Sequence, residues 1–154
     1  MKATIYLVLA LTLPMLAIAE ESSVAKKELA ALAGTWKAVA MEAQGMTFPG
    51  NQVPDFRFIV QASGKAESKS PFGGYEATIT VDPKKSPKTI ENLHETGPQK
   101  GQKQYGVYKL EGNKWTVCMT PPGAPTNGFP DDFKTAGTSN AIIVFERQEP
   151  EKTP

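Results

Sequence analysis

The chain carries one histidine, His94, and one cysteine, Cys118, and these are the first places to look for chemistry. An imidazole is the usual general base near neutral pH, provided a neighbouring group orients it. Glu91 and Glu95 lie close in sequence, but in an extended strand both point away from the face His94 takes. No Ser or Cys stands in a recognisable nucleophile motif. His94 is therefore expected to be a partly exposed imidazole at a strand end, and no residue is assigned a catalytic role; the chain is read as a non-enzyme. By parity Cys118 shares a face with Lys114 and Thr116, opposite Trp115 and Val117. A thiol is activated by close cations, and none flanks this one, so a buried or half-buried structural thiol is expected. A single cysteine forms no internal disulfide.

Metal and cofactor chemistry find little support. One His and one Cys do not supply the three or four spaced ligands of a transition-metal site. Asp131 and Asp132 adjoin, without the alternating ladder of a calcium loop. They are expected to cap one helical turn over residues 130–133, anchored by Phe133. Neither a Gly-rich phosphate loop nor a dinucleotide fingerprint occurs, so no cofactor is implied. Lys84, Lys85 and Lys88 form a small basic cluster on a proline-bounded turn without interleaved aromatics. That reads as a solvated turn rather than a nucleic-acid site. With 17 Lys and Arg against 16 Asp and Glu, bulk charge steers the chain toward neither nucleic acid nor an anionic membrane.

The elements that hold these residues begin after a leader. Lys2 precedes an almost wholly apolar run over residues 3–13; Pro14 interrupts it, and Ala17-Ile18-Ala19 offers small residues to signal peptidase. Residues 1–19 are read as a signal peptide cleaved after Ala19, with no membrane span afterwards and a secreted or periplasmic product. Residues 20–148 would form one domain, and 149–154 a disordered tail. Residues 20–32 read as a short helix capped by Ser22 or Ser23, with Ala25, Leu29 and Leu32 as its apolar stripe and Gly34 ending it.

From there the period is two. The spacing predicts strands over 35–43, 55–61, 65–69, 75–81, 88–95 and 140–148, and a loop over 46–52. The polar strand 65–69 is expected at a rim or edge, where Lys discourages pairing with other chains. The clearest signal is the hairpin over residues 105–119. Gly106, Tyr108 and Leu110 share one face before the Glu111-Gly112-Asn113 turn, and Trp115, Val117 and Met119 share it afterwards. About eight short strands, with no alternating helices, imply an all-β antiparallel barrel or sandwich.

Three segments also resemble an uncharacterised lipocalin-like domain family abundant in planctomycete bacteria. Residues 32–39 resemble its L-x-G-x-W-x-x-V opening. Residues 80–90 resemble its T-x-D-P-x-K-x-P-K-x-I segment. Residues 106–118 resemble its G-x-Y-x-L-x-G-x-x-L-x-x-C hairpin. Glu91 stands where the family usually has Asp, Trp115 where it has an aliphatic, and Ala124-Pro125 where it has Arg-Pro. The resemblance implies an exported, lipocalin-like, up-and-down β-barrel of about eight strands with a short N-terminal helix, and it carries no biochemical activity. In such a barrel Trp36 would plug the closed end, Arg147 would lie over its indole, and Gly34 would let the chain pass close by. These three roles are structural.

The remaining candidate site is the barrel interior. Phe56, Phe58, Tyr75 and Ile79 take the apolar parity of their strands, as do Tyr108, Leu110, Trp115 and Val117. An eight-stranded barrel is either just filled by such side chains or wide enough for one small ligand. The two readings differ in partner. A hollow barrel would bind a small apolar or amphipathic molecule in a cavity of at least a few hundred Å3. A filled barrel would engage an unknown protein through the loops at 46–52, 70–74 and 121–137. Either is expected to be a monomer. A third reading, an enzyme built on His94, would require a cleft and a carboxylate within hydrogen-bond reach.

Overall fold

The computed structural model describes residues 15–125 and 128–149, with side chains from residue 22 onward. Residues 1–14 of the expected leader, and all but residue 149 of the expected tail, lie outside the described residues. An α-helix, α1 (Met15–Leu32), leads into nine strands: β1 (Gly34–Ala43), β2 (Met46–Pro49), β3 (Arg57–Val60), β4 (Lys65–Ser70), β5 (Gly73–Asp82), β6 (Lys88–His94), β7 (Lys103–Glu111), β8 (Lys114–Met119) and β9 (Ala141–Gln148). Every pairing is antiparallel, in the order β2-β1-β3-β4-β5-β6-β7-β8-β9, and β1 also pairs with β9. Eight strands thus close an up-and-down barrel, as expected. The ninth, β2, is an extension where a loop was expected. β3 pairs with residues 34–37 of β1, and β2 takes the same edge over residues 40–43. The handover coincides with a β-bulge between Ala38 and Ala40, which bends β1.

Strand parity fills the interior largely as the sequence reading has it. Phe58, Val60, Ala77, Ile79, Val81, Val117 and Phe145 are all buried. In the hairpin, Gly106 pairs with Met119, Tyr108 with Val117 and Leu110 with Trp115. Gly112, at φ +61, supplies the left-handed backbone of its two-residue turn. The expected edge position of the polar strand fails: β4 is no edge. It sits between β3 and β5 with Ala66 and Ser68 buried and its lysines outside. The barrel leaves no edge there for lysine to protect.

The helix seals one end. It starts well before Ser22 and Ser23, so neither caps it. Leu32 is fully buried, and Leu29 packs against the same core. The helix C-terminus leaves carbonyls without partners inside the helix. The indole Nε1 of Trp36 donates to Leu32 O at 2.8 Å. The Arg147 guanidinium donates to Ala31 O at 2.6 Å and also to Ala33 O. Its central carbon lies 4.2 Å from the centre of the Trp36 ring. Gly34, at φ +139, is required here twice over: the backbone is left-handed, and a Cβ would fall 2.6 Å from Arg147 Nη1. On the helix flank Lys88 Nζ lies 2.6 Å from Glu28 Oε1, and the Tyr108 hydroxyl donates to the same oxygen at 3.0 Å.

The described residues of this segment, 120–125 and 128–140, form a strap rather than a free rim loop. Val107, Cys118, Ile142 and Glu42 lie in one row across the outer face of β7, β8, β9 and β1. The strap lies over this row. Phe129 meets Tyr105 edge-on at 5.0 Å, and Lys109 Nζ sits 5.8 Å from the centre of the Phe133 ring. Fully buried Thr135 donates its hydroxyl to Glu42 and accepts from Gly45 N–H at 3.0 Å. The expected helical turn at 130–133 does not form; Asp131 and Asp132 are exposed within bends. Because the Thr135 hydroxyl satisfies two groups at once, Thr135→Val is expected to destabilise the fold by about 1–3 kcal/mol. Denaturant midpoints compared with a Thr47→Val control on exposed β2 would show it; equal midpoints would refute the clip.

Candidate functional site

A cavity of about 310 Å3 occupies the barrel between the Trp36 end and the opposite rim. Six of the eight interior candidates line it: Phe56, Phe58, Tyr75, Ile79, Trp115 and Val117. Tyr108 and Leu110 share their parity but stand away from the space. Tyr108 is turned to Glu28 at the helix flank, and Leu110 packs against the core. The aromatic wall is continuous. Trp115 stacks on Phe145 at 5.3 Å, approaches Phe58 at 6.0 Å, and rests edge-on against Trp36 at 5.5 Å. At the other end Thr120, Pro121 and Ser139 border the cavity.

Polar groups enter from β6 and β7 at Asn92 and Gln104, two positions outside the eight interior candidates. Asn92 is buried on the inward parity of β6, next to Gln104 of β7 in register, and both line the cavity. Gln104 Nε2 donates to Thr120 O at 3.0 Å, which turns its Oε1 inward. That oxygen accepts from Asn92 Nδ2 at 3.2 Å and from His94 Nε2 at 2.8 Å. Asn92 Nδ2 also reaches the Tyr75 hydroxyl at 3.4 Å. Burial pushes the Tyr75 hydroxyl up from its usual range, and hydrogen bonds with Asn92 and Ser68 oppose the shift in part. Tyr75 therefore stays a neutral donor and acceptor.

His94 corrects the sequence reading. It is 2 % exposed, not a partly exposed strand end, because Tyr75 stacks on its ring at 4.1 Å and inward parity carries it under the 95–102 loop. Its described partner is the Gln104 amide, not a carboxylate. With Nε2 donating, Nδ1 is left as an acceptor. Glu91 instead pairs with Lys103 at 2.8 Å, and Glu95 accepts from Thr78 at 2.6 Å on the outer surface.

Three buried polar atoms have no hydrogen-bond partner among the described residues: Asn92 Oδ1, His94 Nδ1 and Trp115 Nε1. Two of the three belong to residues that line the cavity. Such atoms are rare in a finished core, because each costs free energy when left unpaired. Among the described residues no group of three or more His, Cys, Asp or Glu side chains is placed to hold a metal ion. No described helix is long and apolar enough to cross a membrane.

Cys118 lies on the other side of the barrel wall, fully buried beneath the strap, with Sγ 3.9 Å from Lys134 O. Burial pushes its thiol up from the usual range, and the carboxylates of Asp132 and Glu42 add to the shift. Two results are expected. The folded protein resists iodoacetamide, and labelling tracks unfolding. The neutral thiol's contribution to stability is complete below the unfolded thiol's pKa of about 8.5 and is lost as pH climbs through the raised folded value. The denaturant midpoint should fall more steeply above about pH 9 for the native chain than for Cys118→Ala. Parallel curves, or rapid labelling of the folded state, would refute this.

Compared with known proteins, the chain matches no family model, and neither a curated protein nor a solved structure matches it.

Proposed function

We propose that this chain is an exported lipocalin-like barrel that holds one small apolar or amphipathic molecule and performs no covalent chemistry on it. The observation that carries the reading is the cavity itself. About 310 Å3 lies at the small end of the range for small-molecule sites. Its wall is aromatic and aliphatic with a few convergent polar groups, the usual composition of such sites. One end is sealed by Trp36, Leu32 and α1, so a ligand would enter past Thr120, Pro121 and Ser139. Export rests on the leader pattern of residues 1–19, and cleavage after Ala19 would leave the helix as residues 20–32. The resemblance of residues 32–39, 80–90 and 106–118 to the lipocalin-like family supports the same reading.

Native mass spectrometry of residues 20–154, purified gently from its own host, tests it. An adduct of defined mass that disappears on denaturation is the expected result. A bare mass, together with no fluorescence response from the neutral apolar probe N-phenylnaphthylamine, would overturn it. The second reading, a protein-interaction module, is favoured by one observation: Phe72, at the tip of the β4–β5 hairpin, is 86 % exposed. Its contact surface would be the 70–74 loop and β2, since the strap is already committed to the barrel wall.

A further inference from the structure

Among the described residues two large apolar side chains stand out in solvent: Phe72 is 86 % exposed and Met46 is 57 % exposed. Strand direction puts both at one end of the barrel. Gly34 pairs with Val60, and Val60 with Ala66, beside α1. The β4–β5 hairpin therefore runs away from the sealed end and turns at Pro71-Phe72. β1 likewise starts at the sealed end and turns at Gln44-Gly45, just before Met46. The end they share is the one where Thr120, Pro121 and Ser139 border the cavity.

Both residues are tied to the cavity wall. Met46, Ala43, Ala141 and Met119 occupy one row across β2, β1, β9 and β8. Side chains in one row share a face, and Ala141 and Met119 line the cavity, so Met46 takes the inner side of the rim. Phe72 lies three residues before Tyr75, which also lines the cavity. The turn beneath its ring is fixed: the Ser70 hydroxyl donates to Gly73 O at 2.7 Å and accepts from the Phe72 N–H at 3.2 Å.

A stable protein partner would need a continuous face of about 800 Å2 with a desolvated centre. Phe72 and Met46 are instead single tips on separate hairpins. A bilayer requires no matching shape, because each apolar tip enters it separately and gains in proportion to the area it buries. Charge agrees with an uncharged surface. The loops at this end carry Lys100 and Lys134 against Glu95, Asp131 and Asp132, and Lys69 beside the Phe72 tip is paired with Glu67 at 3.3 Å. No basic patch there calls for anionic headgroups.

We propose that the open rim docks on a zwitterionic lipid bilayer, with Phe72 and Met46 entering the headgroup boundary and the cavity mouth facing the membrane. The contact is reversible, since two side chains fall far short of an anchor. A sparingly soluble ligand then passes between bilayer and barrel without crossing water. That use of the contact rests on the ligand-binding reading; the contact itself does not.

Sedimentation with sucrose-loaded phosphatidylcholine vesicles tests it on the exported chain, residues 20–154, which keeps every strand and the sealing helix but lacks the apolar leader. The chain is expected to pellet with the vesicles, no more strongly when about one fifth of the lipid is phosphatidylglycerol, and without weakening as salt rises. Phe72→Ser combined with Met46→Ser should lower the ratio of bound to free chain at least about tenfold. In Phe72→Trp the added indole should be quenched by lipids brominated on their acyl chains, while Trp36 and Trp115, at 0 % and 1 % exposure, stay shielded. Binding of N-phenylnaphthylamine without vesicles is measured alongside and should be unchanged by Phe72→Ser. No pelleting, pelleting only with phosphatidylglycerol, or pelleting that survives the double substitution would overturn the docking surface. A chain that ignores vesicles yet holds a defined protein through Phe72 would overturn it in favour of the interaction module. If vesicles bind and the probe does not, the docking stands and the ligand-binding reading falls; if the probe binds and vesicles do not, the docking alone falls.

Discussion

Replacing Trp36 with alanine is expected to lower the unfolding free energy by about 3–5 kcal/mol, the range for removing a buried large aromatic. The side chain is fully buried where α1, β1 and β9 meet. Three interactions depend on it beyond its apolar area. Its Nε1 caps Leu32 O, its edge supports Trp115 at 5.5 Å, and its face carries the Arg147 guanidinium. A cation over an indole contributes roughly 0.5–2 kcal/mol, and Arg147 also binds two carbonyls at the helix C-terminus, where positive charge is favourable. Arg147→Ala should therefore be costly too, and the two substitutions should be less than additive because they break a shared contact. Chemical denaturation of the single and double variants measures this. A loss below about 1 kcal/mol for Trp36→Ala, or strict additivity, would show that the sealed end does not depend on the stack.

Ala141→Trp is expected to abolish binding of N-phenylnaphthylamine, with at least about a hundredfold loss of affinity, while the barrel remains folded. Ala141 lines the cavity and lies between Met119 and Ala43 in register, on the inward face of β9. An indole projected from that position enters the space a ligand would use. Enlarging a filled core costs about 1–3 kcal/mol through strain, so stability separates the two possibilities. A real cavity accepts the ring with little or no loss. A variant that binds the probe normally would place the ligand elsewhere. One that unfolds would show the space to be closed in solution.

Period-two alternation made most of the barrel legible. Phe56, Phe58, Tyr75 and Ile79, and across the hairpin Trp115 and Val117, took their interior positions from parity alone. The Gly112 turn fixed the hairpin register. What failed were judgements about level and cover rather than face. Tyr108 and Leu110 have the right parity but lie away from the cavity, and parity does not record height along a barrel. Asn92, Gln104 and Thr120 line the cavity as polar residues, and apolar periodicity does not mark them. The signal was present nonetheless: Asn92 and His94 follow Ile90 at steps of two. In β4, Ala66 and Ser68 are small residues on an inward face, and the lysines that alternate with them mask that parity. The strap was illegible for a different reason. Its contacts, such as Thr135 to Glu42, span most of the chain and leave no local periodicity.

The seam between β1 and β9 has a consequence for how the chain reaches its native state. It joins the residues around Thr35 to those around Gln148, so the barrel closes only with nearly the whole described chain in place. Contacts of such long sequence separation slow folding, because the ordering entropy is lost before the contact forms. A nascent chain that ends before Ala141 exposes two unpaired strand edges, one on β1 and one on β8, with Trp36 and Trp115 uncovered beside them. Open edges with exposed aromatics are templates for aggregation. Such a chain is vulnerable until its last strand arrives, and it would profit from a holding chaperone up to that point.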